Sequence, residues 1–186
     1  MKTFIYIILA GSFLGCSSNE ILVDHKFGET ELKVIRQAVN EWYEATGSED
    51  ALVFLHEDHT FNDDVFQEED WSMEDGFATL QKISMSDPGY EYLTTEVFDN
   101  DVAGAATEGQ KVVVVKESYT NYDCSIDTVW LHTILLHEFG HFFGLMHGDG
   151  EIMVTGRAVI PCIDQESLDN FCKIHMTCLN PKANCK

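Results

Sequence analysis

His137-Glu138-Phe139-Gly140-His141-Phe142-Phe143-Gly144-Leu145-Met146-His147 is the stretch around which this chain is organised. Its pattern is H-E-x-x-H-x-x-G-x-x-H. Residues four apart on a helix share a face, with Cβ atoms about 5–6 Å apart. His137 and His141 can therefore reach one metal ion, at the ~2.0–2.1 Å that zinc–imidazole bonds require. Glu138 sits beside the first ligand, placed to act on a bound water without being a ligand itself. Gly144 can adopt a positive φ, so the helix can stop there and the chain can swing back. His147 then arrives as a third nitrogen ligand. Three protein ligands with one open position suit a catalytic zinc rather than a structural one.

The chain has 186 residues, 45% of them hydrophobic, which is enough for one domain with a proper core. It carries 32 acidic and 11 basic side chains, a formal charge of −21. That charge argues against a nucleic-acid partner, and anionic lipid headgroups should repel the chain. An acidic surface that keeps an exported protein soluble is the plain reading; calcium loops or steering of cationic substrates remain open.

Lys2 precedes the apolar run Phe4-Ile5-Tyr6-Ile7-Ile8-Leu9-Ala10, which is too short for a lasting transmembrane span. Residues 1–15 read as a signal peptide. Phe13-Leu14-Gly15-Cys16 resembles the bacterial lipobox, which makes Cys16 the expected lipidation site and residues 16–20 a short tether. Plain cleavage and secretion is the alternative. Either way the chain is exported, to a bacterial cell envelope or beyond, where disulfides are allowed. The membrane enters only through that lipid anchor. There are six cysteines, and a lipidated Cys16 leaves an odd number. Cys162, Cys172, Cys178 and Cys185 crowd the C-terminus, so one or two disulfides should staple that segment, in a pairing the sequence does not give. The leftover thiol could regulate, but a buried thiol or a miscounted pairing is the plainer expectation.

Further along, Ile21–Phe27 reads as a first strand and Glu29–Thr46 as an amphipathic helix, with Leu32, Ile35, Ala38, Val39, Trp42 and Tyr43 at three- and four-residue spacing. Gly47 stops it. Ala51–Leu55 reads as a short buried strand. Residues 56–76 read as an acidic loop; a calcium site there, or a second zinc on His56 or His59, is the sharper alternative. Phe77–Ser84 is a candidate strand, Asp87-Pro88-Gly89 a turn, Val102–Thr107 a small-residue stretch and Lys111–Lys116 the clearest strand. Asp123, Ser125 and Asp127 are candidate caps for the motif helix, and Asp164 caps a last helix ending near His175. Phe142, Phe143 and Met146 read as core. His25, His132 and His175 lack ligand spacing. Residues 21–186 form one domain with a Cys-rich end.

The complete motif and the order of elements resemble the metzincin metalloproteases, and among them the matrixin type. The resemblance implies an α+β, zincin-like fold: a mixed twisted sheet, an active-site helix and a C-terminal helix. It implies a zinc-dependent endopeptidase that hydrolyses peptide bonds with a zinc-activated water. Glu138 would be the general base and His137, His141 and His147 the ligands. It makes Met153, in Glu151-Ile152-Met153-Val154, the methionine of the turn beneath the zinc. An extended peptide would pair with a sheet edge, assigned to Val102–Thr107. Residues 154–161, including Arg157, would wall the adjoining pocket. Thr155 stands where some metzincins place a tyrosine ligand. The space between Cys16 and the first strand is too short for an inhibitory prodomain with a cysteine. The expected partner is a protein or peptide substrate and the expected state a monomer. Two other readings remain: a non-catalytic zinc-binding surface lipoprotein, and an amidase acting on cell-wall peptides.

Overall fold

The computed structural model describes residues 19–61, 77–87, 90, 103–154 and 160–185. The signal segment, Cys16, most of the acidic stretch after Phe61, Pro88, Gly89, Val102, Thr155 and Arg157 lie outside the described residues. No described helix is long and apolar enough to cross a membrane.

Lys111–Val115 forms a strand whose five residues are all buried. A run of β-branched side chains with both faces covered suits the interior of a parallel sheet. The strands are β1 (Asn19–Asp24), β2 (Val53–His59), β3 (Ala78–Ile83), β4 (Gly104–Thr107) and β5 (Lys111–Val115). They lie in the order β2-β1-β3-β5-β4. Only β4 runs antiparallel, pairing Ala105 with Val113 and Thr107 with Lys111. The sheet is thus mixed, as the resemblance implied, and β4 forms one edge.

The other edge corrects a sequence expectation. Ala51 belongs to a 3-10 turn, and β2 extends from Val53 to His59. Only Val53 of that strand is buried, and Phe54 is 50% exposed. A strand at a sheet edge need not be covered on both faces, and its sequence looks apolar without being interior. His56 and His59 therefore sit on a strand rather than in a loop. His56 Nε2 lies 3.0 Å from Glu20 Oε2, and the His59 ring packs edge-on against Phe61 with centroids 4.6 Å apart.

Helix α1 (Glu29–Thr46) has the expected bounds, and Gly47 ends it in the left-handed region with φ 58°. Its buried stripe is rotated from the expected one. Val34, Ile35, Ala38, Val39, Trp42 and Ala45 face the core, whereas Leu32 is half-buried and Tyr43 exposed. The rotation brings Glu31 inside, where it is fully partnered. Lys82 Nζ lies 2.7 Å from Oε1, the Tyr119 hydroxyl donates to Oε1 at 2.8 Å, and the Gly28 N–H donates to Oε2 at 2.7 Å. Burial and the neighbouring Glu31 charge drive the Tyr119 pKa strongly upward.

Helix α2 (Thr128–Phe142) packs on the same face of the sheet as α1, and α3 (Gln165–His175) closes that layer. Trp42 joins all three helices. Its indole N–H donates to the Leu136 carbonyl at 3.1 Å, and its ring meets Phe143 and Phe171 at centroid distances of 5.7 and 5.8 Å. His132 lies 3.1 Å from Glu41 between α1 and α2. Disulfides Cys162–Cys185 and Cys172–Cys178 staple the tail. Among the described residues Cys124 is the free thiol, and it is exposed rather than buried.

Removing Glu31 would leave the Lys82 ammonium buried without its carboxylate. Losing one partner of a buried ion pair costs about 3–5 kcal/mol. Glu31→Ala is expected to lower the urea-unfolding free energy by that amount, with an unchanged m-value.

Candidate metal centre

Asp127 starts α2 by accepting the Trp130 N–H at 2.9 Å, which selects it among the three expected caps. Leu131, Ile134, Leu135, Leu136 and Phe139 bury this helix almost all round. Within that apolar surface His137 and His141 emerge one turn apart, their ring centroids 4.7 Å from each other. Gly144 then takes φ 89°, and the Leu145 N–H closes back on the Gly140 carbonyl at 2.9 Å. The reversal brings the His147 ring within 4.5 Å of His141 and 5.3 Å of His137.

The ligating atoms of the three histidines all lie within 4.8 Å of one another. Among the described residues this is the one His/Cys/Asp/Glu group so arranged. No second metal or calcium group accompanies it there. Met146, expected in the core, is 70% exposed, because the chain rises to the surface as it delivers His147.

Backbone carbonyls set the imidazole orientation. His137 Nδ1 lies 2.7 Å from the Ile152 oxygen, and His141 Nδ1 lies 2.8 Å from the Leu145 oxygen. A carbonyl can only accept, so each ring carries its proton on Nδ1 and presents a lone pair at Nε2. The Nε2 atoms of His141 and His147 face each other at 3.0 Å. Two tetrahedral ligands of a zinc ion would stand about 3.3 Å apart, from bond lengths of about 2.05 Å. Three imidazoles converging in this way fit a zinc ion. Burial, reinforced by the neighbouring imidazoles, holds the His137 pKa down to about 4, and burial likewise lowers His141, so both are neutral near pH 7.

Glu138 points from α2 toward β4 and is buried, with Oε2 lacking any hydrogen-bond partner among the described residues. Burial pushes its carboxyl up to about 8. Gly104 faces it. A Cβ at residue 104 would stand 2.8 Å from Glu138 Oε1 and 2.9 Å from both Glu138 Cγ and the Val113 oxygen. The edge strand approaches the acid this closely only because it carries no side chain there.

Met153 is fully buried under the helix, with its sulfur against Gly140, where any Cβ would collide with it. Its turn is closed by the Met153 N–H on the Gly150 oxygen and the Gly148 N–H on the Met153 oxygen, each at 3.2 Å. Residue spacing pointed to the three histidines, Glu138 and Met153. It missed Gly104, which stood unremarked in the small-residue stretch Ala103-Gly104-Ala105-Ala106. It also missed the Ile152 and Leu145 carbonyls, which have no signature in a sequence.

No protein-family model matches the chain, and no curated protein does. Solved structures do. The fold is the α+β zincin-like fold. It is similar to archaemetzincin from Methanopyrus kandleri, with a TM-score of 0.58 at 16% identity over 87% of this chain and 97% of that one. Archaemetzincin from Archaeoglobus fulgidus, complexed with malonate, gives a TM-score of 0.48 at 14% identity over 81% of this chain and 90% of that one.

The Gly104–Glu138 contact can be tested by a double-mutant cycle. Gly104→Ala is expected to cost about 1–3 kcal/mol in urea unfolding, as overpacking does. Combining it with Glu138→Ala should recover part of that loss, with a coupling of about 0.5–3 kcal/mol.

Proposed function

We propose that this chain is a zinc-dependent endopeptidase of the metzincin class. One observation carries the reading: three convergent imidazoles stand next to a buried carboxyl with an unpartnered oxygen. His137, His141 and His147 would hold the zinc. Bound there, zinc would supply Lewis-acid polarisation of a peptide carbonyl and a lowered pKa for water. Glu138 does the proton work. Its free Oε2 accepts a proton from the attacking water, and the same oxygen can return it to the departing amine.

The β4 edge supports an extended peptide as substrate. Among the described residues Gly104–Thr107 pairs with β5 on one side only, and Gly104 keeps the approach to Glu138 free of a side chain. Backbone pairing along an edge gives affinity with little sequence selectivity. A pure zinc holder has no use for a buried, unsatisfied acid beside its ligands, which disfavours the sequestering alternative. The assignment to the matrixin type within metzincins rests only on the sequence resemblance, in the motif and the order of elements. Export with a lipid on Cys16 remains part of the proposal; the two disulfides are consistent with an oxidising compartment.

The test is incubation with a mixed peptide library, with and without a chelator, followed by mass spectrometry of the cut ends. Chelator-sensitive internal cleavage is expected. Glu138→Gln should retain one equivalent of zinc and lose about 10²–10⁴-fold in kcat. Undiminished cleavage by that variant would remove Glu138 from the mechanism, and no cleavage by the wild type would favour a binding protein. A peptidoglycan digest separates the amidase reading.

A further inference from the structure

Asp164 does more than cap α3. Its Oδ1 accepts the Glu166 N–H at 3.0 Å and the Ser167 N–H at 3.1 Å, as a helix cap should. Its Oδ2 accepts the Ser167 hydroxyl at 2.6 Å and also the Ile152 N–H at 2.9 Å, twelve residues back in the chain. Ile152 immediately precedes Met153, and its own carbonyl is the acceptor for His137 Nδ1 at 2.7 Å. The same residue thus receives orientation from Asp164 through its N–H and passes it to a metal-site imidazole through its C=O. Every member of the chain is buried or half-buried: Ile152 is fully covered, Asp164 is 7% exposed and Ser167 is fully covered. Burial alone would raise the Asp164 pKa, but the hydrogen bonds from Ser167, Ile152 and Glu151 outweigh it and hold it below the usual carboxylate range. Asp164 is therefore an anion near pH 7, able to accept at both oxygens.

We infer that Asp164 is a positioning residue for the metal site: through Ile152 it fixes the carbonyl that orients His137. This deepens the proposed zinc-peptidase reading and rests on it.

The two carboxylate oxygens separate the two roles. Asn at residue 164 keeps one carbonyl oxygen for the cap and turns an NH₂ toward the Ile152 N–H, donor against donor. Ser at residue 164 keeps a capping hydroxyl but is too short to reach the turn. Ser167→Ala is the control, since it removes a hydrogen bond to the same carboxylate oxygen without touching Ile152.

Zinc affinity is measured by competition with a chromophoric chelator on the folded full-length chain, alongside thermal melts of the apo-protein. Asp164→Asn and Asp164→Ser are expected to weaken zinc binding about 10–100-fold, the usual loss when a partner behind a ligand is removed. Ser167→Ala should stay within about twofold of wild type even if its melting temperature falls as far. The ¹H–¹⁵N signal of the His137 Nδ1 proton should also shift or broaden in the Asp164 variants and not in Ser167→Ala. Zinc affinity unchanged in both Asp164 variants overturns the inference. So does a loss that Ser167→Ala reproduces at equal thermal destabilisation, because the effect would then be structural. A wild-type chain that binds no zinc would instead defeat the metal-site reading itself.

Discussion

A buried indole must place its N–H somewhere, and in this protein that need ties the framework together. Trp42 projects from α1 into the core, fully shielded from bulk solvent, and the Leu136 carbonyl takes its hydrogen bond. Leu136 directly precedes His137. The bond therefore sets the height and rotation of α2 against α1 at the point where the metal-site residues begin. The same ring touches Phe143, where α2 ends, and Phe171 on α3. One side chain thus fixes both ends of the histidine-bearing segment and the helix that closes beneath it. Cores pack at near-crystalline density, so a fixed contact of this kind is transmitted rather than absorbed.

The site itself is assembled by backbone groups more than by side chains. Two of the three imidazoles are held by carbonyls, one from Leu145 in the reversal after α2 and one from Ile152 in the turn that carries Met153. Both carbonyls belong to irregular segments, which is where a protein has acceptors to spare. Inside a helix or sheet the same groups would already be bonded. The loops around the site are irregular for a reason: their unpaired carbonyls aim the rings. Packing of Met153 against Gly140 then keeps the Ile152 turn pressed to the underside of the helix.

This division explains what could be read in the sequence. Spacing placed His137, His141 and His147 together because helical geometry is regular, and Asp127, Asp164 and Gly47 marked helix ends because caps have a fixed chemistry. The ends of α1 and the interior strand β5 were legible for the same reason. Covering was less so. The apolar run at β2 looks interior, yet edge position in a sheet is set by partners far away in sequence. The stripe on α1 turned because Glu31 found Lys82 and Tyr119, distant residues that no periodicity within the helix can announce. Met146 looked like core because it lies among apolar neighbours, but the chain must rise to bring His147 in. Fold class followed from the motif's resemblance; the carbonyl acceptors could not, since every residue has one.

The buried acids Glu31, Asp164 and Glu138, three of the four among the described residues, show how the structure separates support from chemistry. Glu31 has an ammonium, a hydroxyl and a backbone N–H around it. Asp164 has a hydroxyl and several backbone N–H groups. In both the cost of burial is offset by hydrogen bonds, and the acid joins distant segments. Glu138 is as deeply covered and has nothing on Oε2. An unsatisfied buried carboxyl costs about 1–3 kcal/mol or more, and the other buried carboxyls among the described residues, Asp24 included, all have hydrogen-bond partners, so the exception is informative. Stability gives no reason to retain such a group; a partner that arrives from outside the fold does. Its position beside the imidazoles and beneath the side-chain-free approach at Gly104 says where that partner must come from. On the proposed peptidase reading, the oxygen left unpaired among the described residues is the one that serves the reactant.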